Sequence, residues 1–177
     1  KYLKIIENID FVVGSSDVID FANKKNVSLE LAARDARYSF FKEQINKANE
    51  DKKDVLNVLM LAHHMEDQSE TVLLHLFRGC GIDGISGMAK KEFRDDLNVW
   101  LSRPLLQINK NEIIEYCKNN CVEWKEDQTN LSNDYARNYL RNKVFPDLKE
   151  NINPSIYKAI YRSSMLFGEI NEFLDYE

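Results

Sequence analysis

Leu61-Ala62-His63-His64-Met65-Glu66-Asp67-Gln68-Ser69-Glu70-Thr71 is the stretch whose reading decides the fold. It closes the apolar run Val55 to Ala62 and opens Thr71-Val72-Leu73-Leu74-His75-Leu76-Phe77, a helical pattern that stops at Gly79. A short run rich in valine and leucine reads as a buried strand, although pattern alone leaves a buried helix open. A glycine just past the last apolar residue is a helix stop. The unit is therefore strand, turn, helix, with two histidines and three acids gathered at the strand's C-terminal end. In open α/β sheets that end is where ligands bind. A helix starting near Glu66 puts Asp67 and Glu70, three residues apart, on one face. Two carboxylates so placed can hold an ammonium group or share proton transfer. The plainer alternative is that acids in a first turn complement the helix dipole. The adjacent His63-His64 and Gln68-Ser69 weigh towards a site.

The chain has 177 residues, 44% apolar and 30% charged, enough for one domain, or one and a small part of another, with a packed core. A formal net charge of −5 argues against a surface that grips nucleic acid everywhere, while leaving room for one basic face. No apolar run approaches the ~18 residues of a membrane span, and the opening residues carry no secretory leader pattern. Cys80, Cys117 and Cys121 form no CxxC pair, which fits a reducing cytosol better than a disulfide scaffold. The spacing of His63, His64, His75 and Cys80 matches no standard zinc pattern, so no metal site is expected.

Outward from the centre, the elements follow from local pattern. Lys1 to Glu7 reads as a helix end, Asp10 to Val13 as a short strand, and Gly14-Ser15-Ser16 as a turn. Asp17 to Asn26 has helical spacing, and Ser28 is a plausible N-cap for a long helix from Leu29 to about Ala48. Arg34 and Arg37 on that helix form either a cationic ridge or a solvated face paired with Glu30 and Asp35. Gly79, Gly81, Gly84 and Gly87 are not a GxGxxG fingerprint and predict a loop with close backbone approach. Leu97 to Leu106 reads as a strand ended by Pro104. Asn109 and Glu112 suggest a capping box for a helix to about Lys118, with Cys117 in its core register. Glu123 to Asn130 is a polar loop with one tryptophan. Asn133-Asp134 then caps a helix carrying Tyr135, Arg137, Asn138, Tyr139, Arg141, Lys143 and Lys149. Rings interleaved with cations suit nucleotide contact, and an ordinary amphipathic surface helix would look similar. After Asn153-Pro154 an amphipathic helix runs from Ser155 towards Asp175.

His63-His64-Met65-Glu66-Asp67-Gln68-Ser69-Glu70-Thr71, followed by Arg78-Gly79-Cys80-Gly81-Ile82-Asp83-Gly84-Ile85, resembles the HHxxDQxET…RGxGxxGL signature of the tRNA(Ile)-lysidine synthetases. These are N-type (PP-loop) ATPases. Ser28 to Phe41 resembles the family's SLExxARxxRYxFF, and Arg103-Pro104-Leu105-Leu106 its RPLL. Trp124 to Asn130 with Tyr135 to Pro146 resembles WxEDxSN…YxRNxxRxxxxP, with Gln128-Thr129-Asn130 where the family often has Pro-Ser-Asn. The family's SGGxDS phosphate loop does not occur. Gly14-Ser15-Ser16-Asp17 lacks the second glycine and follows the wrong strand.

The resemblance implies an α/β fold with a parallel PP-loop sheet flanked by helices. Residues 1–108 would be the C-terminal part of the ATPase domain, without its first strand and phosphate loop. Residues 109–177 would be a helical segment with a basic, tRNA-facing helix and a linker. The implied reaction adenylates C2 of the wobble cytidine of a tRNA(Ile) with anticodon CAU, using ATP with Mg²⁺, after which free L-lysine displaces AMP. Asp67 and Glu70 would bind lysine and remove its proton, and Arg34 and Arg37 would face phosphates. Arg137, Arg141 and Asn138 would hold the reacting nucleotide, and His63 and His64 would shape the ATP side. The implied location is cytoplasmic, with no membrane, and a homodimer is compatible with it. Without the phosphate loop, the 177-residue chain alone is expected to be inactive. Two alternatives are another PP-loop tRNA-modifying enzyme of the 2-thiocytidine synthetase kind, which would want paired cysteines, and a non-catalytic tRNA-binding module.

Overall fold

The computed structural model describes residues 10–51, 57–125 and 136–175. The expected helix end at Lys1–Glu7, the strand start at Val55, residues 126–130, the cap Asn133-Asp134 and Tyr135 lie outside the described residues. The chain divides into two compact units. One comprises residues up to Val58 with Arg94–Val99, and the other Leu59–Phe93 with Trp100 onward.

In the first unit, α1 (Val18–Lys25) starts where the Asp17 carboxylate accepts the Asp20 N–H at 3.0 Å. It ends at Asn26, whose φ of 52° is a left-handed cap. The next helix, α2 (Leu29–Asp51), is capped by Ser28, whose hydroxyl accepts the Leu31 N–H at 3.3 Å. Ala22 of α1 and Ala32 of α2 are buried where the two helices pack, small side chains that allow close approach. The stripe expected along α2 is only partly covered, since Leu31 is 45% exposed. The strand expected at Asp10 to Val13 does not form. Those residues are irregular, and Phe11 and Val13 are 72% and 75% exposed. A strand needs a neighbour to complete its ladder, and among the described residues this segment has none.

The strand β1 (Val58–Met60) is the described part of the central apolar run. Two further strands, β2 (Lys91–Arg94) and β3 (Val99–Ser102), complete a sheet of order β1-β3-β2. The four-residue turn Asp95–Asn98, with Asn98 at φ 52°, makes β2 and β3 an antiparallel hairpin. The sheet is therefore mixed rather than wholly parallel, within an α/β fold. The expected strand Leu97–Leu106 is cut to four residues by the Asn98 turn before it and the Pro104 turn after it. After β1 come α3 (Met65–Phe77) and the short α4 (Ile82–Ser86), a helical turn where a glycine loop was expected. Asn109 and Glu112 form the capping box of α5 (Lys110–Asn119). No residue of α5 is fully buried, and Cys117 is half-buried rather than core.

Residues 136–151 are one helical run with a defect. The short α6 (Ala136–Tyr139) passes into a π-turn, Leu140–Val144, and then into α7 (Phe145–Asn151). The final helix, α8 (Ile156–Asp175), packs against α3 and α4. Val72, Leu101, Leu106, Leu140 and Phe145 are the buried apolar residues of this unit that set the site in place. Among the described residues, no helix is long and apolar enough to cross a membrane.

Candidate functional site

The first two turns of α3 present Glu66, Asp67 and Glu70, and the helical run 136–151 brings two arginines to them. Glu70 is completely buried. Arg141 clamps it from both sides of the carboxylate, Nε to Oε1 at 2.7 Å and Nη2 to Oε2 at 2.8 Å. The same Nη2 reaches Asp67 Oδ1 at 3.3 Å, so one guanidinium bridges both acids. Arg137 donates from Nη2 to Thr71 Oγ1 at 2.8 Å and holds Nε 3.6 Å from Glu70 Oε2. A planar fork meeting a carboxylate in this way is the strongest ion-pair geometry that side chains offer.

The electrostatics follow from burial. Burial pushes the Glu70 carboxyl above its ordinary value, opposed by the hydrogen bonds and charge of Arg141. Glu66 is also buried enough to be raised by desolvation. Hydrogen bonds from His64 and from the backbone N–H groups of Glu66 and Lys110 outweigh this and lower it. Both Glu66 oxygens accept the Lys110 N–H, at 3.1 and 2.9 Å, so this acid caps the start of α5. His64 has Nδ1 3.0 Å from Glu66 and Nε2 3.5 Å from Asp67. Burial works against its protonated form, but the acids prevail and raise its pKa. The His64 backbone N–H donates to Asp67 Oδ2 at 3.0 Å, which fixes that carboxylate across the helix start.

The remaining expected residues fall as follows. His63 is half-buried just before α3, and Asn138 is half-buried beside Arg137 on α6. Arg34 and Arg37 belong to the first unit, and both are exposed. The Arg34 guanidinium lies 5.4 Å from the Tyr38 ring, with Arg94 5.0 Å from the same ring. Arg37 lines a hollow of about 650 Å³ together with Gly14, Ser16, Phe21, Phe40 and Lys47. Among the described residues no group of three or more His, Cys, Asp or Glu is placed to hold a metal ion.

Three residues stand out only in the structure. Gln68 is a fully buried hub. Its amide donates to the Ser86 and Met88 carbonyls and to the Ser164 hydroxyl, and accepts the Met88 N–H at 2.8 Å. It pins the glycine-rich segment to α3 and α8. Tyr157 on α8 packs on Phe145 at 4.4 Å. Burial, with the negative field of Glu70 and Glu66, pushes its hydroxyl up to about 12. Thr71 gives Arg137 its oxygen partner. Nothing local marks Tyr157, because its neighbours are distant in sequence. Gln68 sits among the buried polar residues Ser69, Glu70 and Thr71, so sequence pattern does not single it out.

Comparison with known proteins completes the description. Residues 5–148 match the PP-loop domain family. The chain is similar to a tRNA(Ile)-lysidine synthase of Clostridium tetani, 36% identical over 98% of the chain and 36% of that protein. Another from Chlorobaculum tepidum is 34% identical over 94% of the chain and 47% of its own length. A third, from Nitrosomonas europaea, is 37% identical over 84% of the chain and 30% of its length. The chain thus spans between a third and a half of the first two relatives. With that match over most of its length and an α/β fold that sets an acid-rich helix start at the end of β1, the chain belongs to the PP-loop domain family.

Proposed function

We propose that the chain forms part of a tRNA(Ile)-lysidine synthase. Its similarity to proteins of that name, along 94 to 98% of its length in two of them, carries the reading. The cytidine carbonyl is a poor leaving group until its oxygen attacks the α-phosphorus of ATP and expels pyrophosphate. The lysine ε-nitrogen then attacks C2, the C–O bond breaks, AMP leaves, and the proton of the attacking nitrogen passes to a base. The substrates are ATP, a tRNA(Ile) with anticodon CAU and free L-lysine, and the setting is the cytoplasm. Mg²⁺ would accompany ATP, where it would neutralise phosphate charge.

Asp67 and Glu70 are our choice for the lysine ammonium. Arg141 is the resident cation that the ammonium must share or displace, because it spans both carboxylates. Asp67 is the more accessible of the two, with 17% of its side chain exposed against none for Glu70. It therefore meets the substrate first, while Glu70 holds Arg141 in place. Arg137, Arg141 and Asn138 line the approach of the reacting nucleotide, His63 and His64 the ATP side, and Arg34 and Arg37 meet phosphates. The test uses the full-length protein with tRNA(Ile) transcript, ATP and lysine. Lysine-dependent AMP release, with lysine joined to the wobble cytidine, is expected. Sulfur incorporation, or tRNA binding with no AMP release, would overturn the reading.

A further inference from the structure

The helical run that delivers the two arginines is not a regular α-helix. Across Leu140–Val144 it widens into a π-turn, closed by the Phe145 N–H donating to the Leu140 carbonyl five residues back. The next residue is Pro146. In a continuous α-helix, position 146 would donate to the Asn142 carbonyl. Proline has no N–H to give, and its ring would collide with that carbonyl. The wider turn moves the carbonyl away.

The consequence is angular. An α-helix turns about 100° per residue, so Phe145 would sit about 80° around the axis from Arg137 in a regular helix. At about 80° per residue over the four steps of the wider turn, the offset closes to about zero. Arg137, Arg141 and Phe145 then share one face. This matches what is seen. Arg137 reaches Thr71, Arg141 spans Asp67 and Glu70, and Phe145 is completely buried against Tyr157.

We propose that Pro146 is a positioning residue: it holds the π-turn that lets the Phe145 anchor and the Arg137–Arg141 pair face α3 and α8 together. The catalytic consequence rests on the proposed function; the geometric one does not. Pro146 is exposed, so Pro146→Ala removes no core contact. It restores an N–H and allows the helix to close regularly, which turns either Phe145 or the arginine pair away from its partners, so the melting temperature falls.

The experiment is a double-mutant cycle of Pro146→Ala with Arg141→Ala in the full-length protein, read by denaturant unfolding and by the rate of adenylate formation. If Pro146 acts through Arg141, the two changes are non-additive, by about threefold or more in the unfolding equilibrium constant. Pro146→Ala alone then slows adenylation about tenfold or more at a temperature where the variant is still folded, since small misplacements of a positioned group are costly. Additive effects on unfolding overturn the proposal. Failure of the functional reading has a different signature, no adenylate from the unmutated protein, and the unfolding cycle still decides the role of Pro146.

Discussion

At the residue scale, Glu70 constrains the site most. A wholly buried carboxylate is tolerated here because a bidentate guanidinium meets it and Asp67 shares the same cation. A lysine ammonium competing for these oxygens gains charge-assisted hydrogen bonds worth roughly 1.5–3 kcal/mol each. Asp67→Asn and Glu70→Gln should therefore raise the KM for lysine about tenfold or more, since ~1.4 kcal/mol is a factor of ten. Adenylation, which precedes lysine, should suffer less. Following adenylate formation and lysine incorporation separately checks this, and an unchanged lysine KM would assign the pair to ATP instead. His64 makes a second, pH-dependent prediction. Its folded pKa is raised above 6.5 by Glu66 and Asp67 against the opposing effect of burial. The stability it contributes is fully present below 6.5 and is lost as pH rises through the folded value. Melting temperature measured from about pH 6 upward should decline, and His64→Gln should flatten that decline. A curve identical in the variant would show that the acids do not hold the imidazolium.

At the element scale, the glycine-rich segment is anchored rather than loose. Gly87 has φ +69°, and a Cβ there would lie 2.7 Å from the Gln68 amide nitrogen. That amide is already committed to Ser86, Met88 and Ser164. Gly87→Ala should cost about 2–4 kcal/mol, from backbone strain plus a disturbed buried network. Gly81 has open space where its Cβ would stand, so Gly81→Ala should change stability by less than about 0.5 kcal/mol. Urea unfolding of the two variants is the comparison, and equal costs would mean that the Gln68 hub does not govern the segment. The helix limits were legible locally. Ser28 and Asn109 each cap the helix that their side chains suggested, Asp17 caps the helix it was expected to begin, and α8 runs almost as its periodicity predicts. The β2–β3 hairpin was not, because Asp95-Asp96-Leu97-Asn98 carries no glycine turn signal.

At the scale of the whole molecule, the two compact units differ in how much they bury. Among the described residues, the helices α1 and α2 of the first unit contribute only Ala22 and Ala32 to the buried set, the unit's Leu97 and Val99 lying on the β2–β3 hairpin, while the second unit buries Val72, Leu101, Leu106, Leu140 and Phe145. Burial of apolar side chains is the main source of local resistance to opening. Amides of α1 and α2 should therefore exchange with solvent at least about tenfold faster than those of α3 and α8. Hydrogen exchange resolved by segment measures this, and equal protection would mean that the units open as one. The charge balance belongs to the same scale. A chain of net charge −5 carries its cations in local groups, several already engaged by acids or rings, as Arg141 is by Glu70 and Arg94 by Asp96.

The sequence by itself determined the strand–turn–helix unit around His63 to Thr71, the helix starts and stops, and the pairing of Asp67 with Glu70 on one face. These are local properties, set by periodicity, capping side chains and a spacing of three residues. It also carried the family resemblance, since motif order survives without coordinates. Only the tertiary structure decided that Arg141 is the cation spanning both acids, that Gln68 is a structural hub, and that Tyr157 stands beside the site. It alone decided that Asp10 to Val13 stays irregular and that a π-turn precedes Pro146. Each of these depends on partners far apart along the chain. Long-range burial and ion pairing choose among the conformations that local propensity leaves open.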